Sequence, residues 1–526
     1  MHKHAEAIKE WTSLLGEFAS SEEIESENTF NTSQSAITIL QPSNPDEIIA
    51  CLEIARKYDI ALQPVSSNKN WGYGSSQPAY KSFALLSLHR LSNIIDYEDK
   101  LGTVTIEPGV TQQQLYDFLT KNGGRFWMDC TGSSPECSVV GNTMERGFGH
   151  TPYSDHAAHI ICLEVILPNG DVITTGFGRF ENSLSQKAYA AGVGPSINQL
   201  FVQSNLGIIT KMTIALMPAP EYFEAYFFSI DNHAKLPALI DALLPLRQDG
   251  TIQSALHLGN SYRVLSSIRQ YPWEETNETP LPEDILDKFS KSWDFGPWNG
   301  SAGIYGTKQQ VNLTKKRLKK KLAPHVNKIR FINDNKLLLA EKTQHIYKSL
   351  TGTNLPEMLK LLKPVYGMMK GIPSKSVLKS TYWRQKGGIP AHMNPGQDGC
   401  GLIWCSPVAP LLGIHAKKMN DIVTDILPSH GFEPGMTMTL LNGQTLENII
   451  SISYDRKVDG EDQRALECYF ALADALANAG YYPYRLGIHA MQHTLDMSSE
   501  NYNKFMRTIK HALDPDDIIS PGRYII

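Results

Sequence analysis

The stretch that decides the fold runs from Pro64 to Ser76 and reads Pro-Val-Ser-Ser-Asn-Lys-Asn-Trp-Gly-Tyr-Gly-Ser-Ser. It continues a short apolar run, Ile60-Ala-Leu-Gln, which predicts a strand that leads straight into the loop. Glycine allows the positive φ angles with which successive backbone N–H groups turn toward one anion. A pyrophosphate is the natural ligand for such a loop, although an ordinary surface loop has a similar composition. The spacing is not GxGxxG, which disfavours a Rossmann nucleotide site.

Strands and helices alternate on both sides of this loop. The β-branched run at 36–41 predicts a strand, and residues 46–58 have apolar side chains at helical spacing after Pro45. Residues 103–106 predict another strand, and Thr111 is placed to cap the helix that follows it. Residues 163–176 predict a hairpin with Asn-Gly at its turn. The pattern indicates the α+β class.

Two segments mark the limits of this region. Residues 1–30 are predicted to be helical and polar, which is typical of a surface arm. Pro218-Ala-Pro interrupts the chain, and strands alternate with longer helices from 221 to 480. A domain boundary is therefore predicted near residue 219.

Composition excludes several classes of protein. The 526 residues are 41% apolar and carry a net charge of −5 with both signs mixed, which argues against a nucleic-acid surface. No N-terminal run resembles a secretory signal and no apolar run reaches membrane-spanning length, so a cytoplasmic protein without a membrane span is predicted. Seven cysteines without a CxxC pair predict buried reduced thiols and no metal site.

Two further stretches carry glycines and short polar side chains. The first is Gly141-Asn-Thr-Met-Glu-Arg-Gly-Phe-Gly-His-Thr-Pro-Tyr-Ser-Asp-His, and its composition indicates backbone packed against a flat ligand. The second is Ser204-Asn-Leu-Gly-Ile-Ile-Thr-Lys, a turn before a β-branched strand. Either one could be an ordinary structural loop if it stood alone.

In this order and spacing the three stretches resemble the FAD-binding half of the vanillyl-alcohol oxidase/p-cresol methylhydroxylase family, and most closely its 4-phenol-oxidising branch. Shorter matches follow downstream, and the resemblance covers about residues 35–526. The matching stretches are Asn70-x-Gly-Tyr-Gly, Ile106-Glu-Pro-Gly-Val, Val140-Gly-Asn-Thr-x-x-Arg-Gly, Thr151-Pro-Tyr-x-Asp-His, Gly192-x-Gly-Pro-x-Ile, Ser204-Asn-x-Gly-Ile-x-Thr-Lys, Gly296-x-Trp-Asn, Tyr305-Gly, Tyr484-Arg485 and Asp514-Pro-x-x-Ile-Ile-x-Pro-Gly-Arg.

The resemblance implies a two-subdomain FAD-binding domain of the PCMH type, with an α+β cap domain that has an antiparallel sheet and covers the isoalloxazine. The FAD-binding domain would comprise residues 1–219 completed by 483–526, and the cap residues 220–482. The cofactor-binding residues that it implies are Ser66, Ser67, Asn68, Lys69, Asn70, Gly72, Tyr73, Gly74, Ser75, Ser138, Val140, Gly141, Asn142, Thr143, Arg146, Gly147, Tyr153, Asn205, Gly207, Ile208, Ile209 and Arg523.

The resemblance also implies a chemistry. A para-substituted phenol would bind as phenolate, and hydride would leave its benzylic carbon for flavin N5, giving a quinone methide that water can attack. Tyr484 and Arg485 match the pair that holds the phenolate oxygen, and Asp155 matches an acidic position beside the flavin. Each residue also has a structural alternative: Tyr484 and Arg485 as part of a core strand, Asp155 as a helix cap, and Arg146 as a loop support.

The chain departs from the family pattern at three places. Thr103 stands where another phenolate-binding tyrosine is expected, which weakens the predicted clamp. Leu402 stands where the alcohol oxidases have their flavin-linking histidine. Tyr382 is displaced by one residue from the linking tyrosine of the methylhydroxylases, and His392 is a more remote alternative. Noncovalent FAD is therefore the expectation. Glu447 and Asn448 replace a histidine pair and give the pocket a different polarity.

The leading hypothesis is an FAD-dependent oxidase or dehydrogenase that acts on a para-substituted phenol or phenolic alcohol. The alternatives are oxidation of a non-phenolic alcohol or biosynthetic intermediate by the same fold, and a flavin-binding subunit without catalysis of its own. The oxidant is predicted to be O2 or an electron-acceptor protein such as a cytochrome, and the chain a homo-oligomer. The substrate would be a small molecule.

Overall fold

The computed structural model describes residues 2–20, 24–25, 28–31, 35–79, 83–351 and 355–525; the side chains of 24–25 and 345–351 are outside the description. The N-terminal part forms a four-stranded sheet in the order β1-β2-β4-β3 with two helices. Strands β2 and β3 both run parallel to β4. The elements are α1 (His2–Leu15), β1 (Ile24–Glu25), β2 (Ser35–Leu40), α2 (Pro45–Tyr58), β3 (Ala61–Val65) and β4 (Phe83–Ser87).

A second, antiparallel sheet follows in the order β5-β6-β10-β8-β9, and β7 pairs separately with β11. Its inward side chains form a core of their own around Ile106, Leu163 and Met212. The elements are β5 (Ile94–Glu98), β6 (Thr103–Ile106), α3 (Gln112–Lys121), β7 (Phe126–Trp127), α4 (Val139–Met144), β8 (Ile160–Ile166), β9 (Val172–Thr174), β10 (Ile208–Ala215) and β11 (Met217–Pro218).

The third sheet is antiparallel and has eight strands, in the order β15-β12-β14-β13-β18-β19-β16, with β17 paired to β19. The largest buried core lies between one face of this sheet and its helices. The elements are β12 (Tyr222–Ile230), α5 (Leu236–Gln248), β13 (Leu256–Asn260), α6 (Ser261–Ile268), α7 (Glu283–Trp293), β14 (Trp298–Gly306), α8 (Lys308–Leu322), β15 (Lys328–Ile332), α9 (Asp334–Thr351), α10 (Leu355–Met368), β16 (Cys400–Cys405), β17 (Val408–Pro410), α11 (Gly413–Ser429), β18 (Gly435–Leu440), β19 (Thr445–Asp455) and α12 (Glu461–Asn478).

After two short helices, α13 (Met491–Asp496) and α14 (Glu500–Leu513), the chain returns to the first sheet. Leu62 donates its N–H to Ile518, and its carbonyl accepts from Ser520. The segment 514–525 therefore lies beside β3 and the loop after it. The change of sheet between β10 and β12 falls at the predicted boundary near residue 219, although the division into domains stays a prediction.

The N-terminal helix corrects the prediction of a polar surface arm for residues 1–30. Ala7, Trp11 and Leu15 are buried, and the Trp11 indole donates to the carbonyl of Cys51 over 3.2 Å. The apolar residues are too sparse along α1 to form a conspicuous pattern, yet they share the one face that packs on α2.

The cysteine prediction agrees with the structure, since all seven are buried and free. Within the described residues, no helix combines the length and apolarity needed to cross a membrane.

Candidate functional site

A cavity of about 630 Å³ lies where the loops of the first two sheets meet the third sheet. Three of the predicted stretches and the C-terminal segment line one side of it. Those lining residues are Ser66, Ser67, Asn68, Lys69, Asn70, Tyr73, Ser75, Ser138, Val140, Gly141, Asn142, Gly147, Gly207, Ile208, Ile209, Tyr484, Arg485 and Arg523. The structure thus brings together 18 of the 25 predicted catalytic and cofactor-binding residues.

The opposite wall is the face of the eight-stranded sheet that does not pack against the sheet's own helices. Residues directly opposite each other in neighbouring strands share a face, so the register arranges the wall in cross-strand rows. The first row is Phe227, Ser301, His257 and Thr439; the second is Ser229, Asn299, Gly259, Thr437 and Ile449. The wall mixes apolar and hydroxyl side chains, as a binding site for an organic molecule requires.

The loop after β3 suits the pyrophosphate of FAD. The N–H groups of Ser67, Asn68, Lys69 and Asn70 have no acceptor within the described chain, and Asn68 has a φ of 56°. The Asn70 carbonyl accepts from the N–H groups of Tyr73 and Ser75, both over 3.2 Å, which closes the loop. Such free donors in a row form a nest for an anion.

The second wall of this channel begins at the N-terminus of α4. Ser138 caps the helix by accepting from the N–H of Gly141 over 2.9 Å, and its own N–H donates to Ser67 over 2.9 Å. A Cβ on Gly141 would lie 2.2 Å from the Ser66 hydroxyl. Glycine at 141 therefore allows the two walls to approach each other closely.

Asn142 is fixed in this wall by a network that the sequence did not reveal. Its side-chain oxygen is 2.7 Å from Nδ1 of His156, whose Nε2 is 2.7 Å from the Asp129 carboxylate. Asp129 also accepts from the N–H of Thr151 over 2.7 Å. The buried Asp129 and His156 thus hold residues 142–151 as one unit.

A buried cluster of Tyr73, Tyr484 and Arg485 lies at one end of the cavity. The Arg485 guanidinium lies 4.3 Å from the centre of the Tyr73 ring and donates to Asn70. Burial raises the pKa of both tyrosines, so their hydroxyls stay protonated and can donate. Tyr73, predicted as a cofactor contact, therefore lies beside Tyr484 as a second tyrosine, whereas Thr103 is buried in β6.

Glu145 is the counter-charge of this cluster. It forms an ion pair with Arg523, accepts from the Tyr524 hydroxyl over 2.9 Å and lies 3.8 Å from Nε of Arg485. Burial opposes its ionisation, but Arg523 and Arg485 together keep the Glu145 pKa below its usual value. Two arginines share one carboxylate, which leaves net positive charge at this end of the cavity.

Two neutral histidines contact each other where the loop that contains His150 meets His257 of β13. The rings of His150 and His257 are 4.5 Å apart, and His257 contacts Thr439 and the carbonyl of Gly149. Burial lowers the pKa of His150 to about 4 and that of His257 to about 3. Both are therefore uncharged near neutral pH and line the pocket as polar, uncharged groups.

Asp155, which was expected to face the flavin, is not among the side chains that line the cavity, and its catalytic role stays a prediction. Its side chain is exposed and accepts from the N–H of Ala158 over 3.2 Å, which caps the 3₁₀ helix His156–His159. The structural alternative stated for this residue is the one that the geometry supports.

Tyr382 is also displaced from the cavity. Its side chain is 1% exposed and its hydroxyl donates to Asp398, whereas the preceding Ser380 and Thr381 do line the cavity. A flavin bond at Tyr382 would require this buried ring to leave its pocket.

Six predicted cofactor residues support the walls without lining the cavity. Arg146 is exposed and bonds Gln203, which in turn donates to the carbonyl of Tyr484 over 3.0 Å. Gly72 and Gly74 have no room for a Cβ because Trp404 and Ile488 pack on them. Thr143 bonds within α4, Tyr153 stacks on His159 at 4.1 Å, and Asn205 donates to Ser520.

Comparison with known proteins agrees with an FAD-binding site in this cavity. Residues 36–176 match the FAD binding domain family model. The chain is 39% identical over 498 residues to 1'-carboxy-chondrochloren decarboxylase of Chondromyces crocatus, covering 94% of this chain and 92% of the relative. It is 27% identical, over 94% of this chain and 88% of the relative, to the 4-cresol dehydrogenase [hydroxylating] flavoprotein subunit of Pseudomonas putida.

Solved structures agree over the whole chain. The structure of p-cresol methylhydroxylase with substrate bound superposes with a TM-score of 0.88 at 25% identity, covering 100% of this chain and 97% of that one. The chain belongs to the vanillyl-alcohol oxidase/p-cresol methylhydroxylase family. A 4-ethylphenol oxidase from Gulosibacter chungangensis also has a TM-score of 0.88, at 25% identity, over 99% of this chain and 97% of that one.

As a member of the vanillyl-alcohol oxidase/p-cresol methylhydroxylase family, the chain has the PCMH-type FAD-binding fold and uses FAD as its cofactor. It is an FAD-dependent oxidoreductase. The free N–H groups at 67–70 fit the cofactor's pyrophosphate, and the close walls at 138–147 and 207–209 fit a flat ring system.

Proposed function

We propose that this chain oxidises a para-substituted phenol at its benzylic carbon. The observation that carries the proposal is the Tyr73, Tyr484 and Arg485 cluster at one end of the cavity. Two protonated hydroxyls and a guanidinium suit the phenolate oxygen, because these donors are already in place to stabilise its negative charge. Bound FAD supplies the two-electron acceptor that receives the hydride.

The neutral wall opposite the cluster suits the rest of such a substrate. Loss of hydride from the phenolate leaves a neutral quinone methide, so an uncharged wall around the alkyl side chain suits the oxidised substrate. Phe227, His257 and Thr439 face this space as uncharged side chains.

A second candidate is an oxidative decarboxylation that shares the same first step, and the 39% identity to a protein named a decarboxylase favours it. In a para-hydroxyphenyl compound with a carboxylate one carbon beyond the benzylic position, hydride loss gives the quinone methide. The bond to the carboxylate then breaks, its electron pair forms a C=C bond and restores the phenolate, and CO2 leaves. O2 or an electron-acceptor protein then reoxidises the flavin.

Anaerobic reduction of the flavin tests the phenol proposal. We expect 4-ethylphenol to bleach the oxidised flavin spectrum and its methyl ether, 4-ethylanisole, to leave the spectrum unchanged, because the ether cannot form a phenolate. Equal bleaching by the two compounds, or by neither, would contradict the proposal. Formation of 4-vinylphenol and CO2 from 3-(4-hydroxyphenyl)propanoate would identify the decarboxylation.

A further inference from the structure

We propose that Arg263 binds a carboxylate group of the substrate, at a place in the cavity separate from the phenolate cluster. This inference rests on the proposed function and names the substrate class more closely: a para-substituted phenol whose side chain carries an anionic group. Arg263 belongs to the first turns of α6, which follows β13 directly and begins at the cap residue Asn260.

Arg263 differs from every other cation that lines the cavity. Six lysine and arginine side chains line it, and five of these have a carboxylate within 4.0 Å among the described residues. Arg485 and Arg523 share Glu145, Lys328 and Arg330 share Asp294, and Lys69 pairs with Glu136. Arg263 has no such partner in the described part of the chain.

Arg263 has few contacts with the rest of the protein, and none of those described is with a carboxylate. One guanidinium nitrogen, Nη1, donates to the Ser380 hydroxyl over 2.9 Å, and the group lies 5.6 Å from the centre of the Trp404 ring. Burial lowers its pKa to about 10, and no acidic group in the described ranges offsets that effect. A desolvated charge without a counter-ion is costly, whereas a bound anion would remove most of that cost.

The shape of the site selects a carboxylate. A guanidinium presents parallel N–H groups that match the two oxygens of a carboxylate. Among the described residues, Ser380 is the one hydrogen-bond acceptor of Arg263, so the remaining donors can bind a ligand. Three apolar side chains, Val264, Leu378 and Trp404, also line the cavity. Val264 follows Arg263 in the chain, Leu378 lies two residues before Ser380, and the Trp404 ring faces the guanidinium. Such apolar surroundings strengthen an ion pair. The FAD phosphates are the other anion that could reach this cavity, but the free N–H groups of 67–70 already suit them.

A substrate pair tests the proposal in the holoenzyme. The rate of anaerobic flavin reduction is measured with 3-(4-hydroxyphenyl)propanoate and with 4-ethylphenol, which has no carboxylate, and the ratio of their kcat/KM values is compared among variants. Arg263→Met should lower that ratio at least ~30-fold, since it removes one partner of a buried ion pair. Arg263→Lys should restore part of it. Arg269→Met, which removes a cation that pairs with Glu274 and does not line the cavity, is the matched control and should leave the ratio unchanged.

Three outcomes separate the possible failures. If neither phenol reduces the wild-type flavin, the proposed function fails, whatever the role of Arg263. If both reduce it and the ratio is the same in wild type and Arg263→Met, the carboxylate site is wrong. A weaker FAD affinity in Arg263→Met would assign the guanidinium to the cofactor and overturn the proposal.

Thermal stability gives a measurement that needs no turnover. The ligand-free Arg263→Met holoenzyme should be at least as stable as wild type, because an uncompensated buried charge is replaced by an apolar chain. A Tm several degrees lower would show a structural role and contradict the proposal. 3-(4-Hydroxyphenyl)propanoate should raise the Tm of wild type and of Arg263→Lys, but not that of Arg263→Met.

Discussion

Arg485 is the residue on which the phenol proposal depends most directly. Its guanidinium is buried, faces the Tyr73 ring and shares Glu145 with Arg523. Because Arg523 remains to balance Glu145, removal of Arg485 should leave the protein folded while the phenolate loses its cation.

Arg485→Ala should therefore slow flavin reduction about 30- to 1,000-fold, which corresponds to ~2–4 kcal/mol of barrier. Arg485→Lys should recover only part of the rate, since lysine lacks the planar fork. Stopped-flow reduction with 4-ethylphenol measures both variants, with Arg456→Ala, an arginine paired to Asp462, as the fold control. A wild-type rate in Arg485→Ala would remove it from the clamp.

Glu447 gives a prediction about pH. It lies opposite Thr439 in the sheet, is 9% exposed, and one of its carboxylate oxygens has no hydrogen-bond partner among the described residues. Burial, with a smaller contribution from the charge of Asp155, raises the Glu447 pKa from 4.5 to about 7. The folded protein thus keeps this proton at a pH where the unfolded chain has lost it.

The free energy of unfolding should accordingly fall as pH rises from about 4.5 to 7, and the loss should be complete above pH 7. Glu447→Gln should match wild type near pH 4 and be more stable at pH 8, by on the order of 2–3 kcal/mol. Denaturant melts at the two pH values test this, with the exposed Glu500→Gln as control. Equal stability of Glu447→Gln and wild type at pH 8 would contradict the raised pKa.

At the scale of elements, the sequence predicted correctly the features that depend on neighbouring residues, such as helix caps and hairpin turns. The capping box of Thr111 and Gln114 starts α3 as predicted, and the Asn-Gly turn joins β8 to β9. The rows that form the sheet wall of the cavity could not be predicted, because they depend on the register of strands from residues 227 to 449. The position of Arg263 depends on the same register, because α6 directly follows β13.

The 3₁₀ helix His156–His159 carries a prediction of its own. Its cap is the exposed Asp155, and asparagine caps a helix about as well as aspartate. Asp155→Asn should therefore reduce flavin within about two-fold of the wild-type rate, and Asp155→Ala should cost about 1 kcal/mol of stability. A strong loss of flavin reduction in Asp155→Asn, measured under single turnover with FAD still bound, would return Asp155 to the catalytic residues.

For the whole molecule, the motifs indicated the family, the cofactor and most of one cavity wall. They did not reveal the Asp129–His156 network that holds the loop before Asp155, because its members come from separate parts of the chain. The polar N-terminal arm was wrong for a related reason: Trp11 packs on α2 and donates to Cys51, 40 residues away. Both contacts join segments that are distant along the chain.

The way in which the cofactor is held concerns the whole molecule as well. Leu402 lines the cavity but offers no nucleophile, and the Tyr382 hydroxyl is directed to Asp398. We expect acid precipitation of the purified protein to release the flavin into the supernatant. A pellet that retains the yellow colour would contradict noncovalent binding, and peptide mapping of the labelled segment would then identify the linking residue.

The return of the chain to β3 has a consequence for the order of folding. The contacts that complete the cofactor cavity join residues far apart in sequence: Arg485 and Asn70 are 415 residues apart, and Arg523 and Glu145 are 378. Contacts of this separation form slowly, since a large loop must close first. Flavin capture should therefore be a late event in refolding, and quenching of flavin fluorescence should lag behind the recovery of secondary structure.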